Sequence, residues 1–171
     1  MRVRERTAGD LHGLSGLLRR VHEIDGYPTV WPSDAKRWLV RDGEYGAWVG
    51  ELDGALVGHV GLTSPSTPAG TQLWATTTQR PVDQLAEVAR LFAAPEARGA
   101  GVGRQLLQHA AEAAHRLGLW PVLDVRHDGR ADASGLYAAA GWHLVGTAPR
   151  RLTGSELVLP FDCWIGPPPP S

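Results

Sequence analysis

The sequence predicts a single α/β (α+β) domain built on a central, mixed but mostly antiparallel sheet of six or seven strands, flanked by about four helices. Three observations carry this. Apolar spacing switches between helical and strand periods along the chain instead of gathering in blocks of one kind. Two period-two runs, Tyr45 to Leu52 and Leu56 to Leu62, are joined by Asp53-Gly54, a pair suited to the positive φ angles of a tight type I′ hairpin turn. An apolar strand from Ala86 to Ala93 leads through a glycine-rich turn into a long amphipathic helix. At 171 residues, 43% of them apolar, the chain buries roughly two thirds of its unfolded surface and needs neither disulfide nor structural metal to fold. Residues 1–165 form the domain, and the proline-rich tail 166–171 is expected to be extended and disordered.

Taken in order, Val3 to Glu5 reads as a short strand. Leu11, Leu14, Leu17, Leu18 and Val21 then recur at helical spacing behind Asp10, a capping residue. Gly26-Tyr27-Pro28 stops that helix, and Ser33-Asp34 opens a second short one carrying Trp38 and Leu39. After the hairpin, residues 63–70 read as an irregular loop, because two prolines remove backbone donors and small polar residues dominate. The run from Leu73 to Thr78 fits no single period. The long helix spans about Gly101 to Leu117 and turns Leu106, Leu107, Ala110, Ala113 and Ala114 inward. Trp120 to Val125 is a buried strand, Ala133 to Ala140 a short helix ending at Gly141, and Trp142 to Gly146 and Leu157 to Ile165 complete the sheet.

Charge and composition exclude several functional classes. Seventeen basic residues against 18 acidic ones give a net charge of −1, which leaves no surplus for sequence-independent nucleic-acid binding. No apolar run approaches about 18 residues, so no membrane span is expected. The opening MRVRERTAGD lacks the apolar stretch of a signal peptide, and the single Cys163 forms no internal disulfide, so the expected location is cytoplasmic. The seven histidines show no paired metal-ligand spacing, and no metal is expected. Cys163, on a late apolar strand with no histidine partner in view, reads as core in preference to an acyl-cysteine nucleophile.

The chemistry concentrates in Leu91-Phe92-Ala93-Ala94-Pro95-Glu96-Ala97-Arg98-Gly99-Ala100-Gly101-Val102-Gly103-Arg104. Glycines at 99, 101 and 103 let successive amides turn inward and approach a ligand closely. The helix behind them adds unpaired N–H groups and the positive end of its dipole, which together favour phosphate or pyrophosphate. Arg98 and Arg104 flank this cradle. The turn lacks the Gly-Lys-Ser/Thr of a nucleotide-hydrolysing P-loop, and it follows an antiparallel hairpin instead of opening a parallel dinucleotide-binding unit.

In that context the segment resembles the GNAT family of N-acetyltransferases. The family's Arg/Gln-x-x-Gly-x-Gly/Ala signature stands here as Arg98, Gly101 and Gly103, and Leu136-Tyr137-Ala138-Ala139-Ala140-Gly141-Trp142 looks like its Leu-Tyr-x-x-x-Gly-Phe/Trp element. The resemblance spans Glu87 to Gly146, about a third of the chain. It implies a GNAT-like fold in which strands Ala86–Ala93 and Trp120–Val125 run parallel and splay apart around acetyl-CoA. It further implies pyrophosphate binding by the backbone of Gly99, Ala100, Gly101, Val102, Gly103 and Arg104, with pantetheine pairing along Leu91, Phe92 and Ala93. A backbone N–H of that strand then stabilises the oxyanion.

The same resemblance assigns Tyr137 the protonation of the departing thiolate, the alternative being a core tyrosine. An amine must be neutral to attack, so a base is required. Glu87, at the start of the cofactor strand, is the candidate, set against the reading of a solvated carboxylate. His59 and Asp124 are lesser candidates. Where many members carry an asparagine that touches the cofactor, this chain has Arg130 and no asparagine at all. Trp31 and Trp74, with Trp38, are placed by analogy near the acceptor pocket, and core packing competes with that role. Glu23, Asp25 and Asp34 are compatible with a cationic amine.

The function expected is acetyl transfer from acetyl-CoA to a primary amine, a small molecule in preference to a protein, by direct attack in a ternary complex. Two alternatives are a protein N-terminal or lysine acetyltransferase and a non-catalytic acyl-CoA sensor. A homodimer is compatible, with the last strand available to pair or swap.

Overall fold

The computed structural model describes residues 1–128 and 131–171. Seven strands form one sheet in the order β1-β2-β3-β4-β5-β7-β6. They are β1 (Arg2–Glu5), β2 (Glu44–Leu52), β3 (Ala55–Thr63), β4 (Leu85–Ala93), β5 (Trp120–Arg126), β6 (His143–Arg151) and β7 (Val158–Ile165). Every neighbouring pair is antiparallel except β4 and β5. The helices are α1 (Leu11–Asp25), α2 (Ala35–Leu39), α3 (Pro68–Thr78), α4 (Val102–Arg116) and α5 (Ala131–Ala139). None of the helices among the described residues is long and apolar enough to cross a membrane.

Alternation along the strands sends neighbours to opposite faces, and two apolar clusters result. Ala86, Val88 and Leu123 pack with Leu14, Leu17 and Leu18 of α1 and with Leu106, Leu107 and Ala110 of α4. Leu85 and Val122 pack on the other face with Trp74 of α3, Ala148 and Cys163. Cys163 is fully buried, in keeping with its reading as core. The β2–β3 hairpin turns at Asp53 and Gly54, whose φ values of 51° and 80° are those of the turn that the dipeptide predicts. The chain leaves α1 through Gly26 at φ 70°, a left-handed cap that glycine adopts without steric cost.

Three elements differ from the expectation. The fifth helix, α3, begins inside the expected loop 63–70: Pro68 occupies its first turn behind Thr67, where a missing N–H costs nothing. Leu73 to Thr78 are thus helical. β6 continues past Gly146 to Arg151, across a register shift between Leu144 and Gly146. The last strand, β7, lies between β5 and β6, so both its edges are occupied and β6 is the free edge on that side. At the start of the tail, Gly166 donates its N–H to Pro121 and accepts from the Trp120 indole, both at 2.8 Å.

Candidate acyl-transfer site

The site originates in a strand that loses its neighbour. β4 and β5 pair only at Leu85–Trp120, Ala86–Pro121 and Glu87–Val122, and beyond Glu87 they diverge. The β5-facing backbone of β4 from Val88 onward therefore has no strand partner. The gap opens into a cavity of about 570 Å³ bounded by β4, β5, the loop after α1 and the β6–β7 end of the sheet. That volume lies within the range of small-ligand sites.

β4 also carries a bulge at the mouth of this gap. His59 pairs with Phe92 and Gly61 with Ala89, so Arg90 and Leu91 together oppose Val60. Arg90 takes φ 54°, a left-handed conformation that a residue with a Cβ holds only when its surroundings enforce it. Here they do. The Nδ1 of His59 lies 2.8 Å from the Arg90 carbonyl, the Arg90 Nε donates to the Trp38 carbonyl at 3.3 Å, and its guanidinium lies 3.7 Å from the Trp38 ring centroid.

His59 is fully buried. Arg6 approaches its Nε2 at 3.1 Å, and since a guanidinium only donates, Nε2 accepts and Nδ1 carries the proton given to Arg90. Burial, with Arg6 and Arg90 nearby, pulls the imidazole down to about 4. At neutral pH His59 is therefore an uncharged tie holding the bulge, with both ring nitrogens engaged.

The glycine turn supplies the second part. Gly99 and Gly101 adopt φ 79° and 76°, and a Cβ at Gly99 would meet nothing within 4 Å, so the concave side of the turn is open. The first helical bond of α4 comes from Gln105 to the Gly101 carbonyl. The N–H groups of Gly101, Val102, Gly103 and Arg104 thus have no backbone acceptor among the described residues. Four outward amides at a helix N-terminus form an anion site, which fits a pyrophosphate. Arg98 pairs with Asp25, closing one side of the turn against α1.

Acid–base groups converge where β4 and β5 part. Glu87 and Asp124 are almost wholly enclosed, with side chains 1% and 3% exposed. Glu87 accepts from the Ser66 N–H at 3.1 Å and its hydroxyl at 3.3 Å, and lies 3.6 Å from both Arg41 and Arg150. Asp124 is bound by Arg150. Burial nonetheless lifts the Asp124 carboxyl to about 6, the Arg150 charge opposing that rise and the Glu87 charge adding to it. Tyr137 is 8% exposed and borders the same cavity. Its hydroxyl has no hydrogen-bond partner among the described residues, and burial holds the phenol well above its ordinary range.

Glu87, Tyr137, Leu91, Phe92 and Ala93 therefore border one cavity, with the turn from Arg98 to Arg104 directly downstream. Trp31 and Trp74 do not join them. Trp74 is fully buried in the cluster beneath α3, and Trp31 packs against His22 and Arg19. Trp38 is the tryptophan that lines the cavity. Arg130 falls outside the described residues. Sequence reasoning missed Arg41, Arg90 and Arg150, which come from three distant segments and share no motif. Only the folded sheet brings them together.

Residues 14–142, more than half of the chain, match the model of the acetyltransferase (GNAT) family. A search of the curated proteins finds no match. Among solved structures, a ribosomal-protein-alanine N-acetyltransferase from Brucella melitensis is 24% identical, with a TM-score of 0.67 over 96% of this chain and 99% of that one. A putative acetyltransferase from Salmonella typhimurium, solved with its cofactor acetyl-CoA, is 17% identical, with a TM-score of 0.66 over 96% of this chain and 92% of that one. A spermidine N-acetyltransferase chimera from Vibrio cholerae is 18% identical, with a TM-score of 0.66 over 96% and 93%. These likenesses agree with the seven-stranded fold, and the family match is independent of them. With the parted strands, the glycine cradle and the family model in agreement, the chain belongs to the GNAT acetyltransferase family, the acyltransferases that use acetyl-CoA.

Proposed function

We propose that this chain moves an acetyl group from acetyl-CoA to a primary amine of a small molecule, by direct attack within a ternary complex. The observation that carries the reading is the junction of three features on one path. The unpaired edge of β4 borders the same cavity as Tyr137, and the free amides at the start of α4 follow that edge along the chain. Acetyl-CoA supplies an activated thioester. The chain's own groups do the rest.

The amides from Gly101 to Arg104 hold the pyrophosphate, and Leu91, Phe92 and Ala93 offer their backbone to the pantetheine arm. The bulge at Arg90 and Leu91 turns backbone amides out of the ladder, where one serves as donor to the oxyanion that develops at the thioester carbon. Because His59 and Trp38 hold the bulge, this donor is in place before the reaction begins. Tyr137 protonates the departing thiolate, a task suited to a phenol whose burial keeps it protonated. Between the two carboxylates, Asp124 suits the proton acceptor better than Glu87. Glu87 is held by Ser66 and lies between two arginines, whereas Asp124, raised to about 6, is ionised yet basic at neutral pH. Glu87 then positions Arg41 and Arg150. The cavity's volume of about 570 Å³ suits a small amine, and the sequence has no extended acidic or aromatic stretch on which a protein acceptor would dock.

The test is thiol release from acetyl-CoA in the presence of candidate amines, measured across pH. Wild-type turnover should rise as pH passes about 6, where Asp124 ionises. Tyr137→Phe should lower kcat by about 10²-fold, the usual worth of a positioned proton donor, with acetyl-CoA binding intact. Unchanged kcat in Tyr137→Phe would remove that residue from the chemistry, and acetyl-CoA binding without turnover of any amine would favour a sensor.

A further inference from the structure

A second cavity, of about 630 Å³, adjoins the first and shares Trp38, Arg41, Arg90, Arg150 and Thr153 with it. From β4 it takes only Arg90, and no residue from Leu91 through Arg104 lines it. It therefore lies beyond the bulge, on the side away from the glycine cradle, where an acceptor would enter. Its wall carries five arginines: Arg37, Arg41, Arg90, Arg150 and Arg151.

Five carboxylates stand near them, but three of these are engaged at the rim, which leaves the inner group of arginines in excess. Arg37 pairs with Asp42 at 3.2 Å, and Arg151 pairs with Glu156, both at the exposed rim. Asp34 is engaged in capping α2 through the Arg37 N–H at 3.0 Å. Deeper in, three guanidiniums, from Arg41, Arg90 and Arg150, face two carboxylates, Glu87 and Asp124. Arg90 has no carboxylate within 4 Å among the described residues. Arg41 Nη1 is buried and makes no hydrogen bond, although Glu87 lies 3.6 Å away. Burial draws the Arg90 guanidinium down to about 10, with Arg41 and Arg150 adding to the fall and Tyr27 and Glu87 opposing it, so it stays charged at neutral pH with no carboxylate in direct contact. A partly buried cation that lacks an ion-pair partner is costly, and its place on the cavity wall suits it to receive an anion.

The geometry points to an acceptor that carries an oxyanion besides its amine, an amino acid or aminophosphonate, with the oxyanion seated on Arg90 and Arg41 and the amine directed past Asp124 to the thioester. This inference rests on the acetyl-transfer reading and narrows its substrate. It also departs from the reading of Glu23, Asp25 and Asp34 as compatible with a cationic amine. Of these, Asp25 stands at the cofactor end paired with Arg98, Asp34 lines the second cavity with its carboxylate engaged in capping α2, and Glu23 lines neither cavity. The planar guanidinium of Arg90, already stacked on Trp38 and fixed through its Nε, presents its two terminal nitrogens in the arrangement that binds carboxylate or phosphonate in a fork.

The experiment compares matched acceptors by thiol release: L-phenylalanine with phenethylamine, L-leucine with isoamylamine, 2-aminoethylphosphonate with ethylamine, and spermidine as a purely cationic acceptor. The wild type should prefer the oxyanion-bearing member of at least one pair by about 10²-fold in kcat/KM, the scale of a desolvated charge pair. Arg90→Gln should reduce that preference to under about tenfold, with Arg90→Lys recovering part of it; a loosened bulge alone would slow both members of a pair alike and leave the ratio intact. Equal or better turnover of the uncharged-tail amines or of spermidine overturns the inference, as does an Arg90→Gln enzyme with undiminished preference. The wild-type comparison needs no variant to fold. Thermal stabilisation by acetyl-CoA, recorded on the same samples, separates the two levels. If it is present while the oxyanion preference is absent, only the substrate assignment falls; if it is absent, the transferase reading falls first.

Discussion

At the scale of single residues, His59 shows how a group that invites a catalytic reading acts instead by holding its neighbour. Its two ring nitrogens are used, one accepting from Arg6 and one donating to Arg90, and its pKa falls from 6.5 to about 4. A histidine depressed in the folded state stabilises it above the unfolded pKa and loses that contribution as pH falls from 6.5 toward 4. The shift corresponds to roughly 3 kcal/mol at most. His59→Asn keeps a donor for the Arg90 carbonyl and cannot take up a proton. Denaturant unfolding of the two proteins should therefore show a gap that is constant above about pH 6.5 and shifts in favour of the variant below it. A gap independent of pH would mean that His59 does not titrate in this manner. The sequence marked His59 as a lesser base candidate because a histidine's role depends on both its nitrogens, and their partners, Arg6 and Arg90, are remote in the chain.

Elements explain why the glycine turn and the helix behind it were readable in advance. The glycine turn and α4 are local, and the spacing of Gly99, Gly101 and Gly103 before a helical apolar period conveys both shape and electrostatics. The β4 bulge conveys neither. It sits in a strand that is apolar but for Glu87 and Arg90, with arginine where glycine would have announced a positive φ, and it exists because His59 and Trp38 enforce it. Likewise α3 was hidden, since Pro68 reads as a loop breaker unless it stands at a helix's first turn. The docking of α4 on β3 depends on Gly58, where a Cβ would come within 2.7 Å of Leu106, 2.9 Å of Val102 and 3.0 Å of the Phe92 carbonyl. Gly58→Ala should destabilise the fold by about 1–3 kcal/mol. Because it also pushes the start of α4 away from β4, it should weaken acetyl-CoA binding more than acceptor binding. Chemical denaturation and isothermal titration read these two effects separately. Unaltered stability and affinity would show that α4 yields without cost.

For the whole molecule, the sheet does what no element does alone. Its single parallel pairing gives out after three residue pairs, and that failure creates the cavity, exposes the β4 edge and turns Glu87, Asp124 and Tyr137 toward one space. The fold class and the seven strands were legible because periodicity and turn chemistry are local. The arginine cluster was not, since Arg41 follows α2, Arg90 stands in β4 and Arg150 in β6, and their meeting is a property of the sheet order. The central claim is that the cradle at α4 and the gap beside β4 bind acetyl-CoA. It is tested most directly by the thermal unfolding midpoint of wild type and Gly101→Glu, each with and without acetyl-CoA. At about a hundred times its dissociation constant the ligand should stabilise the wild type by roughly 2.7 kcal/mol. The variant places a carboxylate at φ 76° in the anion site, so it should fold with a lower midpoint and show no ligand shift. A folded wild type whose midpoint is unmoved by acetyl-CoA, or a variant that shifts as much as the wild type, would contradict the account.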